Sequence, residues 1–184
     1  EFILTTSPSM DILVSSNLER LLYLSCGRDA AKTKAMMEQL SMNGKYEITA
    51  DMKEFMKDFC AGYADMEENA KEIRKVFDDT GYLIDTHTGV AAAVYEQYKA
   101  KTGDTTKTVI ASTASPYKFS RSVMEAVLGK KEDTDEFALI DEMERISGVK
   151  IPQAIEEIRD AKILHNRQCK PEEMEETVKQ TFSK

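Results

Sequence analysis

No apolar run in these 184 residues approaches the roughly 20 residues that a membrane-crossing helix needs. Positive charge is not in excess either, since 33 acidic residues against 25 basic ones leave a net charge of -8. A surplus of that sign repels nucleic acid and anionic membrane alike, so neither is expected as a partner. The first 20 residues hold no basic-then-apolar leader, which argues against export. Cysteine is scarce, and Cys26, Cys60 and Cys169 form neither a CxxC pair nor a Cys/His cluster. Zinc and disulfide scaffolds therefore lack support, and a reducing, cytoplasmic setting is the plain expectation. P-loop and GxGxxG patterns are missing, as is a Ser/His/Asp order.

What the chain does have is two polar loops, each following a short apolar stretch and each opening a helix. One is Ile84-Asp85-Thr86-His87-Thr88-Gly89-Val90, which feeds a run to Tyr98. The other is Val109-Ile110-Ala111-Ser112-Thr113-Ala114-Ser115-Pro116-Tyr117-Lys118-Phe119, which feeds a run to Leu128. In an open α/β sheet, small ligands sit beyond the carboxyl ends of strands, where helix N-termini present free N–H groups. Two such loops suggest one half of a small-molecule site, with the other half expected outside this chain. Glu1 stands directly before the apolar Phe2-Ile3-Leu4, like a strand entered partway through a fold, so a fragment is expected.

Strands are predicted over 2–5, 82–84 and 107–111, the last two with the continuous apolar character of strands covered on both faces. Tyr46-Glu47-Ile48 suits at best a short edge strand. The Ser7–Asp11 stretch predicts a turn. Ser16 with Glu19 has capping-box spacing, Asp29 caps a helix that stops near Gly44, and Thr49 or Asp51 opens another that carries Met52, Phe55, Met56 and Phe59. Asp65 with Glu68 repeats the box, ahead of a buried stripe of Met66, Ala70, Ile73, Val76 and Phe77. Further helices are predicted from about Asp135 to Ser147, Pro152 to Ala161 and Pro171 to Phe182. The whole reads as helix-rich α/β, with a mainly helical segment at about 27–80.

In the first loop, a helix N-terminus, two hydroxyls, an imidazole and the close approach that Gly89 allows would serve a phosphate or carboxylate. The alternative is a helix cap at Thr86 or Thr88, with Asp85 ending a strand and His87 structural. In the second loop, hydroxyls among small residues would let a flat ligand lie against the backbone. The alternative there is a turn in which Ser115 caps and Pro116 fixes the first helical turn. His165 lacks metal-ligand neighbours, and the methionines Met36, Met56, Met66 and Met143 lie on helix stripes as core.

The stretch Ser7-Pro8-Ser9-Met10-Asp11-Ile12-Leu13-Val14-Ser15-Ser16-Asn17-Leu18-Glu19-Arg20-Leu21-Leu22 resembles a signature of the threonine synthase family. Asp85-Thr86-His87-Thr88-Gly89-Val90-Ala91 and Ser112-Thr113-Ala114-Ser115-Pro116-Tyr117-Lys118-Phe119 resemble two further stretches of that family, in the same order. The resemblance implies the C-terminal part of a pyridoxal-phosphate enzyme of the tryptophan-synthase-β-like fold (fold type II). Members convert O-phospho-L-homoserine and water to L-threonine and phosphate. It further implies that residues 1–128 are the C-terminal part of the cofactor-binding α/β domain and 129–184 a helical extension.

In such enzymes the Schiff-base lysine and the phosphate cradle lie upstream, and Lys118 does not match that lysine. No catalytic residue and no metal ligand is therefore expected here, and the fragment alone is expected to be inactive. By its match, Thr113 is the first choice for the hydroxyl facing the cofactor's ring nitrogen, with Ser112 second. A neutral hydroxyl favours a protonated ring less than an aspartate would. Asp85, Thr86 and His87 match a loop near the active site and are assigned loosely to substrate or phosphate contact. A truncated face is expected to self-associate. Two rivals stay open: another lyase of the same cofactor class, and a non-enzymatic helical interaction module.

Overall fold

The computed structural model describes residues 3–131 and 133–183. Its helices are α1 (Ser16–Ser25), α2 (Ala30–Asn43), α3 (Ala50–Phe55), α4 (Met66–Thr80), α5 (Thr86–Thr102), α6 (Ser120–Leu128), α7 (Glu136–Ser147), α8 (Gln153–Arg159) and α9 (Met174–Phe182), with 3-10 turns at Pro116–Phe119 and Pro171–Glu173. None of the described residues is in a strand.

Local chemistry sets most of these boundaries. The Asp29 carboxylate accepts from the Ala31 and Lys32 N–H groups at 3.0 Å each, and Gly44 ends α2 at φ 69°. At α4 the Asp65 side chain takes the Glu68 N–H at 2.8 Å, while the Glu68 carboxylate takes the Asp65 N–H at 2.9 Å. Two orphan donors are thereby satisfied reciprocally. Asp65→Ala is expected to lower stability by about 1 kcal/mol, read from the urea midpoint, and an unchanged midpoint would contradict it. Ser115 caps the 3-10 turn through the Tyr117 N–H at 3.3 Å, with Pro116 at its first position.

Helix α4 packs against α5 and α6, and α6 packs against α7. Ile73, Val123, Met124 and Met143, each at most 1% exposed, fill that core. A second cluster of Leu22, Met36 and Met52 joins α1, α2 and α3, with Tyr46, Ile48 and Met56 packed against it. The chain divides into two compact units, one ending at Lys150 and one beginning at Ile151. The first unit includes α7, which packs on α6. The second unit contains α8, the 3-10 turn and α9, and no described residue in it is buried.

Several expectations are corrected. The described part of 2–5, like 46–48, 82–84 and 107–111, is irregular rather than extended in a sheet, so the described residues are helix-rich, as expected, but without the expected short strands; Phe2 lies outside the described residues. Leu83 and Ile84 are buried at 4% each as the lead-in to α5, whereas Val109 is 92% exposed. Continuous apolarity marked burial in one case and a bare surface in the other, and neither supplied a pairing partner. At α1 the cap is Ser15, which accepts from the Leu18 N–H at 3.4 Å, one residue before the predicted Ser16. Helix α3 stops at Phe55, leaving Phe55 and Phe59 exposed, and Met66 of the α4 stripe is exposed while Asn69 is buried in its place.

Candidate functional site

The site is built at the N-terminus of α5. Asp85, fully buried, is the cap there, which replaces the expected cap at Thr86 or Thr88. A carboxylate at that position meets both the free N–H groups and the positive end of the helix dipole. Its Oδ1 accepts from the His87 N–H at 2.8 Å and lies 3.1 Å from His87 Nδ1. The Thr88 hydroxyl donates to Asp85 Oδ2. Spacing explains the convergence, because residues three apart share one face of a helical turn.

Residues 5–11 cross over this helix end. The Ser9 N–H donates to His87 Nε2 at 3.1 Å, and the Thr86 hydroxyl donates to the Thr6 carbonyl at 2.9 Å. Asn69 of α4 donates from Nδ2 to Ser7 Oγ at 3.3 Å. The turn expected at Ser7–Asp11 is present, closed by Met10 N–H donating to Ser7 O at 2.8 Å. His87 also packs on Phe119, with ring centroids 4.8 Å apart. With both ring nitrogens engaged and 3% exposure, His87 joins three segments of chain. Gly89 faces Asn69 and Ile73 rather than open space, so α4 fills the room that an anion was expected to use.

The second loop reaches the first through one bond. Ser112 Oγ lies 3.0 Å from Thr88 Oγ1. Both Ser112 and Thr113 are exposed, and Thr113 has no hydrogen-bond partner among the described residues. Buried Tyr117 anchors the far end of this loop by donating its hydroxyl to the Val149 carbonyl, and burial pushes its pKa up. The structure thus brings Asp85, His87, Thr88 and Ser112 into one connected chain and leaves Thr86 bonded to the crossing segment. Sequence reasoning treated Thr88 as one of two loop hydroxyls for an anion or as a possible cap. The signal available for its larger role was its position three residues after Asp85. Among the described residues no cluster of His, Cys, Asp or Glu is set to hold a metal, and no helix is long and apolar enough to cross a membrane.

A buried carboxylate is thus linked through hydroxyls to an exposed loop beside a helix N-terminus, on a helical scaffold. Residues 88–167 match the family model "Threonine synthase, C-terminal". Threonine synthase of Saccharomyces cerevisiae is 32% identical over 178 residues, which is 88% of this chain and 35% of that protein. The crystal structure of PLP-bound threonine synthase from Brucella melitensis superposes with a TM-score of 0.62 at 30% identity, covering 81% of this chain and 36% of that one. The yeast threonine synthase structure gives a TM-score of 0.63 at 30% identity, covering 82% and 33%. The chain belongs with the threonine synthases, and what it shares with them is their C-terminal region. It spans about a third of the length of the yeast relative.

Proposed function

We propose that this chain supplies the ring-nitrogen side of a pyridoxal-phosphate site in a threonine synthase, a lyase of fold type II. The reaction is conversion of O-phospho-L-homoserine and water to L-threonine and phosphate. The observation that carries this reading is the Ser112 hydroxyl, exposed on its loop yet tied through Thr88 to buried Asp85. Bound pyridoxal phosphate supplies an electron-withdrawing ring that acidifies the carbon–hydrogen bonds of an attached amino acid. The residues present fit one side of that group. Ser112 and Thr113 offer hydroxyls to a ring nitrogen, and Ala111 and Ala114 leave room for a flat ring. The Schiff-base lysine and the phosphate cradle are assigned to other parts of the enzyme.

Asp85, Thr86 and His87 act for the substrate by holding the loops that face it. Their side chains are buried and their hydrogen bonds run inward, which supports a positioning role over direct phosphate contact. Residues 1–128 form the cofactor-facing part and 129–184 the extension. The exposed apolar Ile3, Leu4, Ile12 and Leu13 support packing against another surface, and self-association of this chain at high concentration follows from it.

The test is a titration of the isotope-labelled chain with pyridoxal 5'-phosphate. Amide signals of 88 and 111–114 are expected to shift, with no threonine formed from O-phospho-L-homoserine. Shifts confined to other parts of the chain, or a stoichiometric Schiff base that responds to substrate, would overturn the reading.

A further inference from the structure

We propose that His87 is an acid-sensitive latch: as a neutral ring it holds the Ser7–Asp11 turn over the N-terminus of α5, and on taking up a second proton it lets that turn go. The inference needs no cofactor and stands on the hydrogen bonds of this helix end alone. A backbone N–H can only donate, so the Ser9 N–H at 3.1 Å fixes His87 Nε2 as an acceptor. The one hydrogen of the neutral ring then sits on Nδ1. The surroundings of Nδ1 agree. Asp85 Oδ1 lies 3.1 Å from it, and Thr86 Oγ1, whose own proton goes to the Thr6 carbonyl, lies at 3.5 Å.

A second proton has room to bind only at Nε2, where it meets the Ser9 N–H head on. Two donors then face each other and the bond is lost. Among the described residues Ser9 is the one hydrogen-bond partner of Nε2. The charged groups around the ring set the conditions of release. On the ring's own helix end, Asp85 attracts the proton whether the turn is closed or open. From the 3-10 turn, the Phe119 ring packs at 4.8 Å, with the Lys118 ammonium 5.6 Å from that ring's centre. The crossing segment brings the Asp11 carboxylate, which is occupied by the Thr5 N–H and hydroxyl at 2.8 Å each. Helix α4 presents neutral Asn69, bonded to Ser7.

The closed turn therefore binds one proton fewer at this ring than the open one, so closure is favoured as pH rises and lost as it falls. Release is local. The Thr86 bond to the Thr6 carbonyl and the Asn69 bond to Ser7 still hold the entry to the turn.

The test follows the ¹⁵N-labelled 184-residue chain from about pH 8 to about pH 5, the range in which histidine changes charge. Long-range proton–nitrogen NMR reads the tautomer and charge of its two histidines, with exposed His165 as internal reference. Amide hydrogen exchange, corrected for its intrinsic pH dependence, reads the turn. His87 is expected as the Nδ1–H tautomer at neutral pH. As it gains its proton, protection of the Ser9 and Met10 amides should fall roughly tenfold, while Ile73 and Met124 in the core keep theirs. Asp85→Asn keeps a capping side chain but removes the charge that attracts the proton, so release should move to lower pH. His87→Gln offers Ser9 an amide oxygen that does not titrate, and should make the protection independent of pH.

The latch is overturned by an Nε2–H tautomer at neutral pH, by a ring that stays neutral down to about pH 5, or by Ser9 protection that does not follow the ring. It also falls if the core amides lose protection together with Ser9, since the acid effect is then general unfolding. Where His87→Gln does not fold, the wild-type tautomer and exchange readings still decide.

Discussion

Asp85→Ala is expected to lower the stability of the chain by about 3–5 kcal/mol, a large share of the roughly 5–15 kcal/mol typical of a folded domain. Losing an N-cap accounts for about 1–2 kcal/mol. The remainder comes from donors left facing nothing. With Asp85 fully buried, no water replaces the carboxylate, and the His87 Nδ1–H and the Thr88 hydroxyl lose their acceptor. Each stranded donor costs about 1–3 kcal/mol, less than additively because Thr88 can turn to Ser112. Asp29→Ala is the matched control, since Asp29 caps α2 in the same way but sits at a partly exposed position. Its loss is expected to stay near about 1 kcal/mol. Urea denaturation of both variants measures the contrast. Equal losses would mean that Asp85 is a cap and nothing more.

Much of the helical layout was legible in the sequence, because caps and stops are local. Asp29 with Gly44, the Asp65–Glu68 box, and Ser115 ahead of Pro116 each declare a helix end within a few residues. Strands were not legible, because a strand exists only by its partner. Leu83-Ile84 and Val109-Ile110 look alike as sequence, yet the first pair is buried and the second exposed. The candidate site divides along the same line. Both polar loops stand out as hydroxyl-rich stretches, but the contact that joins them links Thr88 to Ser112 across 24 residues. The bond from Ser9 to His87 spans 78 residues and that from Asn69 to Ser7 spans 62. Pairs at such separations leave no periodic trace, so the two loops could be seen and the chain of groups between them could not.

Gly89→Ala gives the sharpest test of how tightly α4 and α5 meet, because two effects oppose each other. On helix propensity alone, alanine is better than glycine by about 1 kcal/mol. An added Cβ, however, would lie 2.2 Å from Asn69 Oδ1 and 2.8 Å from Ile73 Cγ1. Neither neighbour has an easy way out. Asn69 is 3% exposed and bonded to Ser7, and Ile73 is 1% exposed in the core. Overpacking of this kind typically costs about 1–3 kcal/mol, and displacing Asn69 adds the loss of its bond to Ser7, about 1 kcal/mol. The collision is therefore expected to win, with a net destabilisation of about 2 kcal/mol. A second substitution, Asn69→Ser, shortens the obstructing side chain and should recover a part of that loss in a double-mutant cycle, because the two residues touch. If Gly89→Ala instead stabilises the chain, the helices have room to part. The crossing segment that depends on Asn69 would then be held less firmly over the N-terminus of α5 than its hydrogen bonds require.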